Sequence, residues 1–287
     1  HLEEKYGENI LAYHPSGQHT GEWFYDRMWE GRITSLEPPA RSGFRRYLAS
    51  RYDTDEALQR AWGDAAVTLA TADILSLEER QHATRGVFRD PAAERRVIDF
   101  DEYRNQDMAD VVAMLCRAVK QAAPRKLSVA FYGYPFEVVA PTGLQASGHL
   151  GLHRLLQSPD VDVLCSPVSY LDRGIGGGGY FMAPVDSVHL HGKLWLVEDD
   201  TRTHLAAPDS GYGRLSDVRQ TRGVLARNFG HIATRGTAVW WMDLPGQGWF
   251  AGEEMWQYLS ILQRAYARAL AEPAPYHPEI AVIVDEQ

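Results

Sequence analysis

Two glutamates far apart in this sequence each follow a short apolar run with strand character. Glu22 comes after Ile10-Leu-Ala-Tyr-His14, by way of Gly17-Gln-His-Thr-Gly21, and is followed by Trp23. Glu198 closes Leu194-Trp-Leu-Val and leads into Asp199-Asp-Thr-Arg-Thr-His204. A carboxyl at the end of a strand in a parallel barrel stands on the face where such folds do chemistry. Two of them meeting from different strands can cleave a glycosidic bond. One protonates the leaving oxygen, and the other attacks the anomeric carbon from about 5–5.5 Å or activates a water across a wider gap of roughly 6.5–9.5 Å. Burial beside Trp23 would raise one proton affinity for the acid role.

Other residues fall where a bound sugar would need them. His14 ends the first run. Trp23, Tyr25, Tyr132, Tyr134, Tyr170, Trp240, Trp241 and Trp249 lie at or just past expected strand ends. Singly, each reads as a core ring; together they read as a platform for the flat C–H faces of sugars. Arg202 either orients a carboxylate by bidentate hydrogen bonds or belongs to a structural ion-pair network with Asp199 and Asp200. His189 and His191 form a His-x-His pair of the kind that can ligate a metal. They precede a strand instead of ending one, so no metal site is assigned. Gly176–Gly179 lacks the order of a dinucleotide-binding loop. No cofactor is expected.

The composition is an ordinary globular balance. The 287 residues are 45% apolar and 23% charged, with a net charge of −9. An acidic chain is a poor partner for nucleic acid or an anionic membrane. No apolar run reaches the roughly 20 residues of a membrane span. Cys116 and Cys165 are too few for a disulfide framework and are expected as buried free thiols. The chain opens on polar residues without Met, so a start inside a longer protein is expected, and the cytoplasm is the favoured compartment.

Strands are expected at 10–14, 127–132, 161–166, 194–198 and 237–242. Continuous apolar runs of this kind suit parallel strands covered on both faces. Helical periodicity lies between them, at 101–121, 216–235 and 253–270. Asp99 with Glu102 reads as the start signal of the first helix, and Gly236 as the stop of the second. Alternation of strand and helix means βαβ units. Five strands point to an α/β fold, a (β/α)8 TIM barrel truncated at its N-terminus, with strands 4–8 present. On this reading residues 1–272 are the partial barrel. Residues 24–98, with helices near 41–51 and 54–63 and a loop around 85–91, form an insertion after strand 4, over the active face. Residues 273–279 are a Pro-rich linker. Residues 280–287 then open a following α/β domain.

On these residues the chain resembles clan A glycoside hydrolases, and most of all the family 42 β-galactosidases. The resemblance rests on Tyr13–Trp23, on Arg51–Gly63, on the strand ending at Glu198, on the aromatic last strand, and on Ile280–Asp285. It implies retention of configuration, with Glu22 as acid/base, Glu198 as nucleophile and a homotrimer as the assembly. The sequence departs from the family at Gly21, where an asparagine is usual. It departs again in the loop after the last strand, where Asp243 is the one obvious acid. Those departures keep a non-catalytic carbohydrate-binding barrel in view as a second reading. A metal-dependent hydrolase using His189 and His191 is a third.

Overall fold

The computed structural model describes residues 1–30, 34, 37–81, 89–137, 143–274 and 277–284. Most of the loop expected around residues 85–91 lies outside these. Five strands form: β1 (Ala12–Tyr13), β2 (Leu127–Phe131), β3 (Val163–Pro167), β4 (Leu194–Asp199) and β5 (Ala238–Trp241). Every neighbouring pair is parallel and the strands lie in chain order. The sheet curls as part of a barrel with helices around it. All five expected strands are present, and four of them are shorter than their apolar runs.

Period-two alternation sorts the side chains. Val129 and Phe131 of β2, Val163 and Cys165 of β3, and Leu196 of β4 share one apolar cluster, with Ala12 of β1 packed against it. Ala130, Leu164, Trp195 and Val197 belong to a different cluster, shared with Met108, Val112, Cys116, Leu155 and Ile232 of the surrounding helices. The first set is the inner face of the curl. Glu198 is two residues beyond Leu196, so it too lies on the inner face. Its register partners there are Pro167 and Trp240.

The helices are α1 (Leu2–Tyr6), α2 (Pro38–Tyr52), α3 (Asp55–Trp62), α4 (Leu77–Gln81), α5 (Arg95–Ala122), α6 (Gly143–Ala146), α7 (Leu152–Gln157), α8 (Val185–Leu190), α9 (Val218–Arg235) and α10 (Glu253–Ala271). Their ends follow from local chemistry. The Thr54 hydroxyl accepts the Ala57 N–H at 3.2 Å to start α3, and Gly63 ends it at φ +64°. Asp217 accepts the Gln220 N–H at 2.8 Å to start α9, and Gly236 ends that helix, also at φ +64°.

The start of α5 corrects the sequence reading. The helix begins at Arg95, so Asp99 and Glu102 are inside it. Asp99 does not cap; it accepts from Tyr52 Oη at 2.6 Å, Trp62 Nε1 at 2.8 Å and Arg95 Nε at 2.8 Å. That carboxylate ties α2, α3 and α5 together beside their own apolar core of Phe44, Leu48, Leu58, Phe100 and Tyr103. The C-terminal end also differs from expectation. Residues 280–284 form no strand, and Ile280, Val282 and Ile283 are exposed. A lone strand has no partner for its backbone groups.

Gly151, which precedes α7, shows how closely α5 meets the sheet-end loops. A Cβ there would stand 2.8 Å from the Asn105 carbonyl oxygen, 2.8 Å from Ala109 Cβ and 3.0 Å from Tyr132 Oη. Backbone cannot yield as a flexible side chain can. Gly151→Ala should therefore destabilise the protein by about 1–3 kcal/mol. Gly230, exposed on α9, meets nothing within 4 Å of such a Cβ. Gly230→Ala should add up to about 1 kcal/mol by removing backbone freedom from the unfolded chain. Thermal and urea unfolding of the two variants check the opposite signs.

Candidate functional site

The segments that follow all five strands meet in one cleft of about 800 Å³. Thr20, Glu22, Phe24, Met28 and Trp29 come from the segment after β1. Tyr134 and Glu137 follow β2; Tyr170, Leu171 and Met182 follow β3; Arg202 and Tyr212 follow β4; Leu244 follows β5. The volume suits a sugar-sized ligand, and convergence at the carboxyl ends of parallel strands is where barrel folds place their sites.

Glu22 is delivered by a tight, strained knot. Gln18, Thr20, Gly21 and Trp23 all have positive φ, from +60° to +80°. Three of them are not glycine, and each costs on the order of 1–3 kcal/mol unless its surroundings impose it. Here they do. The Trp23 N–H donates to Gly17 O at 3.2 Å and the His19 N–H to Phe24 O at 3.1 Å. The Trp23 ring is buried against Gly17, where a Cβ would come within 2.7 Å of it. The Glu22 carboxyl accepts from Thr20 Oγ1 at 2.8 Å and from Tyr134 Oη at 3.2 Å. Burial raises its pKa, and the Asp200 charge adds to the rise. The two hydrogen bonds and His19 oppose it.

Glu198 is only 7% exposed, and the cleft residues do not include it; it sits behind their lining on the inner face. Among the described residues nothing hydrogen-bonds its carboxyl. Burial, then the charges of Asp200 and Glu22, push its pKa up to about 8, against the opposing pull of Arg173 and Arg202. Glu22 and Glu198 thus lie within electrostatic reach of each other. Asp200 explains why the arginines help so little. Fully buried, it accepts from Arg173 Nη1 at 2.7 Å, from Tyr170 Oη at 2.7 Å and from Arg202 Nη1. Both guanidiniums are engaged by the neighbour, and Glu198 is left without a counter-ion of its own.

The structure brings Glu22, Tyr134, Tyr170 and Arg202 together at the cleft. His14 extends the inner face and packs on Phe131 with ring centroids 4.9 Å apart. Trp240 stands beside Glu198 in register, 42% exposed, but is not part of the cleft lining. Four expected contacts lie elsewhere. Trp23 is a core ring. Tyr132 is fully buried and donates to Gly148 O at 2.6 Å. His204 Nδ1 meets Thr221 Oγ1 at 3.0 Å, and its Nε2 lies 3.7 Å from Glu254. Asp243 spends its carboxylate on the backbone N–H groups of Gln247, Gly248 and Trp249. His189 and His191 lie at the end of α8, just before β4 begins, at the opposite rim from Glu198.

Three residues at the site escaped the sequence reading. Glu137 lines the cleft and accepts from Ser169 Oγ at 2.6 Å and the Tyr170 N–H at 2.9 Å. Arg173 holds Asp200. His149 is fully buried directly behind Glu22, with its Nε2 at 2.9 Å from the Glu22 carbonyl oxygen. Glu137 stands past the 127–132 run at a place the sequence reading gave to the rings of Tyr132 and Tyr134, and His149 follows no apolar run closely. Arg173 belongs to a loop whose partner is 27 residues further along.

No protein-family model matches this sequence, and no curated protein matches it. Solved structures do. The catalytic domain of a β-amylase from Paenibacillus polymyxa superposes with a TM-score of 0.64 at 17% identity, over 92% of this chain and 66% of that one. An exo-β-agarase superposes with a TM-score of 0.54 at 14% identity, over 84% of this chain and 31% of that one. The chain therefore spans less than two thirds of either neighbour. At such identities the likeness is one of fold, a partial (β/α) barrel. The closer resemblance to family 42 has no matching model behind it.

The raised pKa of Glu198 sets a sign for stability. Because the folded state binds its proton more tightly, the favourable contribution is complete below the ordinary 4.5 and is lost as pH rises through about 8. Glutamine stays neutral throughout. Glu198→Gln should match the parent's Tm near pH 4 and exceed it at pH 9, by roughly 2–4 °C for each kcal/mol relieved. Paired thermal scans across that range measure it. A Tm difference that does not change with pH would mean that Glu198 is not a strained acid.

Proposed function

We propose that the cleft hydrolyses a glycosidic bond, with Glu22 and Glu198 as its two working carboxyls. The observation that carries this reading is the pair itself. A half-buried acid from the segment after β1 and a buried acid at the end of β4 each have a raised proton affinity, and the Asp200 charge raises both. Groups tuned in this way concentrate at functional sites. Phe24, Trp29, Tyr134, Tyr170 and Tyr212 give the cleft the aromatic walls a sugar needs. The fold neighbours, a β-amylase and an exo-β-agarase, are glycosidases, which supports the same class.

Double displacement with retention is the finer reading. Protonated Glu22 gives its proton to the glycosidic oxygen as the Glu198 carboxylate attacks the anomeric carbon. The bond to the leaving group breaks and a glycosyl ester forms. Glu22, now a carboxylate, removes a proton from water. That water opens the ester and regenerates both groups. A second reading exchanges the roles. It is favoured by the proton affinity of Glu198 and by the two donors that steady Glu22 as an anion. The galactoside preference implied by the family 42 resemblance draws no support from Gly21 or Asp243, so the sugar is left to a substrate panel.

The test uses Glu22→Gly and Glu198→Gly with aryl β-glycosides and azide. In the first assignment, azide rescues Glu22→Gly to a β-glycosyl azide and Glu198→Gly to an α-glycosyl azide. Without azide, Glu22→Gly should lose roughly 10²–10⁴-fold on alkyl glycosides. The opposite product pattern would exchange the roles. A parent protein that binds oligosaccharides but leaves every glycoside of the panel intact would replace the enzyme with a carbohydrate-binding barrel.

A further inference from the structure

The knot that carries Glu22 has a second support, from a residue behind the cleft lining that is not itself part of it. His149 is fully buried, and its ring is stacked between Phe24, at 4.1 Å and 18°, and Tyr132, at 4.7 Å and 13°. Its Nδ1 faces two backbone donors, the Gly133 N–H at 3.0 Å and the Tyr134 N–H at 3.3 Å. An atom approached by two N–H groups must be the acceptor. The ring proton is therefore on Nε2, which donates to the Glu22 carbonyl oxygen at 2.9 Å. A second proton would have to point at those two amides. Burial already disfavours it, and the pKa falls to about 3.

We infer that His149 is a positioning residue for Glu22: a neutral imidazole that fastens the Glu22 peptide to the end of β2, and through it the carboxyl to Tyr134. This deepens the glycosidase reading and rests on it for the acid role of Glu22. The same two-residue turn, Gly133–Tyr134, donates both backbone N–H groups to His149 and supplies the Tyr134 hydroxyl that meets Glu22 Oε1. One imidazole thus joins the strained knot after β1 to the turn after β2. Two anchors of the glutamate, its backbone carbonyl and its Oε1, lead back to that segment, while Thr20 Oγ1 holds Oε2 from within the knot. Ser147 holds the other side of the arrangement. Its Oγ accepts the His149 N–H at 3.0 Å, and its carbonyl accepts the Tyr25 N–H at 3.3 Å.

A residue that only aims a general acid leaves a selective signature. Proton donation matters for a poor leaving group and hardly at all for a very good one. His149→Phe keeps a flat ring for the stack and removes all three ring hydrogen bonds. On a methyl or benzyl glycoside its kcat/KM should fall tenfold or more, since small displacements of a reacting group are costly. On the dinitrophenyl glycoside it should stay within twofold. The amides of His19 and Trp23, bonded within the knot, should exchange with solvent at least tenfold faster.

Equal losses on both substrates, or no loss on either, would overturn the positioning role. So would unchanged exchange of the two amides. Should His149→Phe not fold, ¹⁵N spectroscopy of the unaltered protein decides the matter. The expected spectrum shows one neutral ring with its proton on Nε2 from pH 5 to 8, and a charged ring or the other tautomer would overturn the inference. A parent that cleaves neither glycoside sinks the glycosidase reading instead, and the exchange and ring measurements still judge the clamp.

Discussion

A buried charge needs an opposite charge or a proton, and the site depends on how that need is met at the end of β4. Three acidic residues stand in a row there. Asp199 points away from the inner face, to Thr201 and Asn228. Asp200 takes both nearby guanidiniums and the Tyr170 hydroxyl. Glu198 takes none of them. Two arginines stand near two inward-acting carboxyls, and both are bonded to one of them. The uneven split locks the Asp200 carboxylate in place between Arg173 and Arg202. Glu198 becomes a group whose proton is held only by its surroundings.

The other carboxyl is supported differently. Glu22 lies on no strand; it sits at the turn of a knot with four positive φ angles in six residues. Strain of that kind persists only where packing determines the conformation. Trp23 beneath the knot, the backbone bonds across it and the stacked His149 behind it perform that task. The aromatic stack has a further consequence. Phe24, His149, Tyr132 and Tyr134 form a continuous layer with centroid separations between 4.1 and 5.5 Å, running from the cleft wall to the core. The layer mounts the Glu22 segment from behind, independently of β4.

Much of this was legible in the residues and some of it was not, for physical reasons. Apolar runs with β-branched and aromatic residues marked all five strands, because a strand covered on both faces has no use for polar side chains. Gly236 marked a helix end, because the left-handed conformation there suits glycine. Glu22 and Glu198 stood out as acids tied to apolar runs: Glu198 closes one, and Glu22 follows another after a glycine-bounded turn. The failures share one cause: each needed to know a partner distant in sequence. Asp99 with Glu102 looked like a helix start until Tyr52 and Trp62, some 40 residues earlier, claimed Asp99. Residues 280–284 read as a strand and carry none among the described residues. Trp23 and Tyr132 look like sugar platforms, yet an aromatic at a strand end reveals nothing of which face it will take until register and loop direction are fixed. His149 carries no local signal at all; its role comes from two turns brought together by the sheet.

Register is what makes the separate pieces one site. On β4 the inner face is set by Leu196, packed with the inward residues of β2 and β3, and Glu198 inherits its direction two positions later. Shifting β4 by one residue would turn Glu198 toward the helices, into the layer of Trp195 and Val197, and bring Asp199 inward in its place. The outer layer resists this, because Trp195, fully buried among the helices, cannot move to the crowded interior of the curl. The bulkiest side chain of β4 therefore lies on the face opposite the one it serves. Its packing outside the sheet fixes the direction of the acid inside it, just as Trp23, buried below the knot, fixes the direction of Glu22 above. In both cases a tryptophan that never reaches the cleft determines where a carboxyl points.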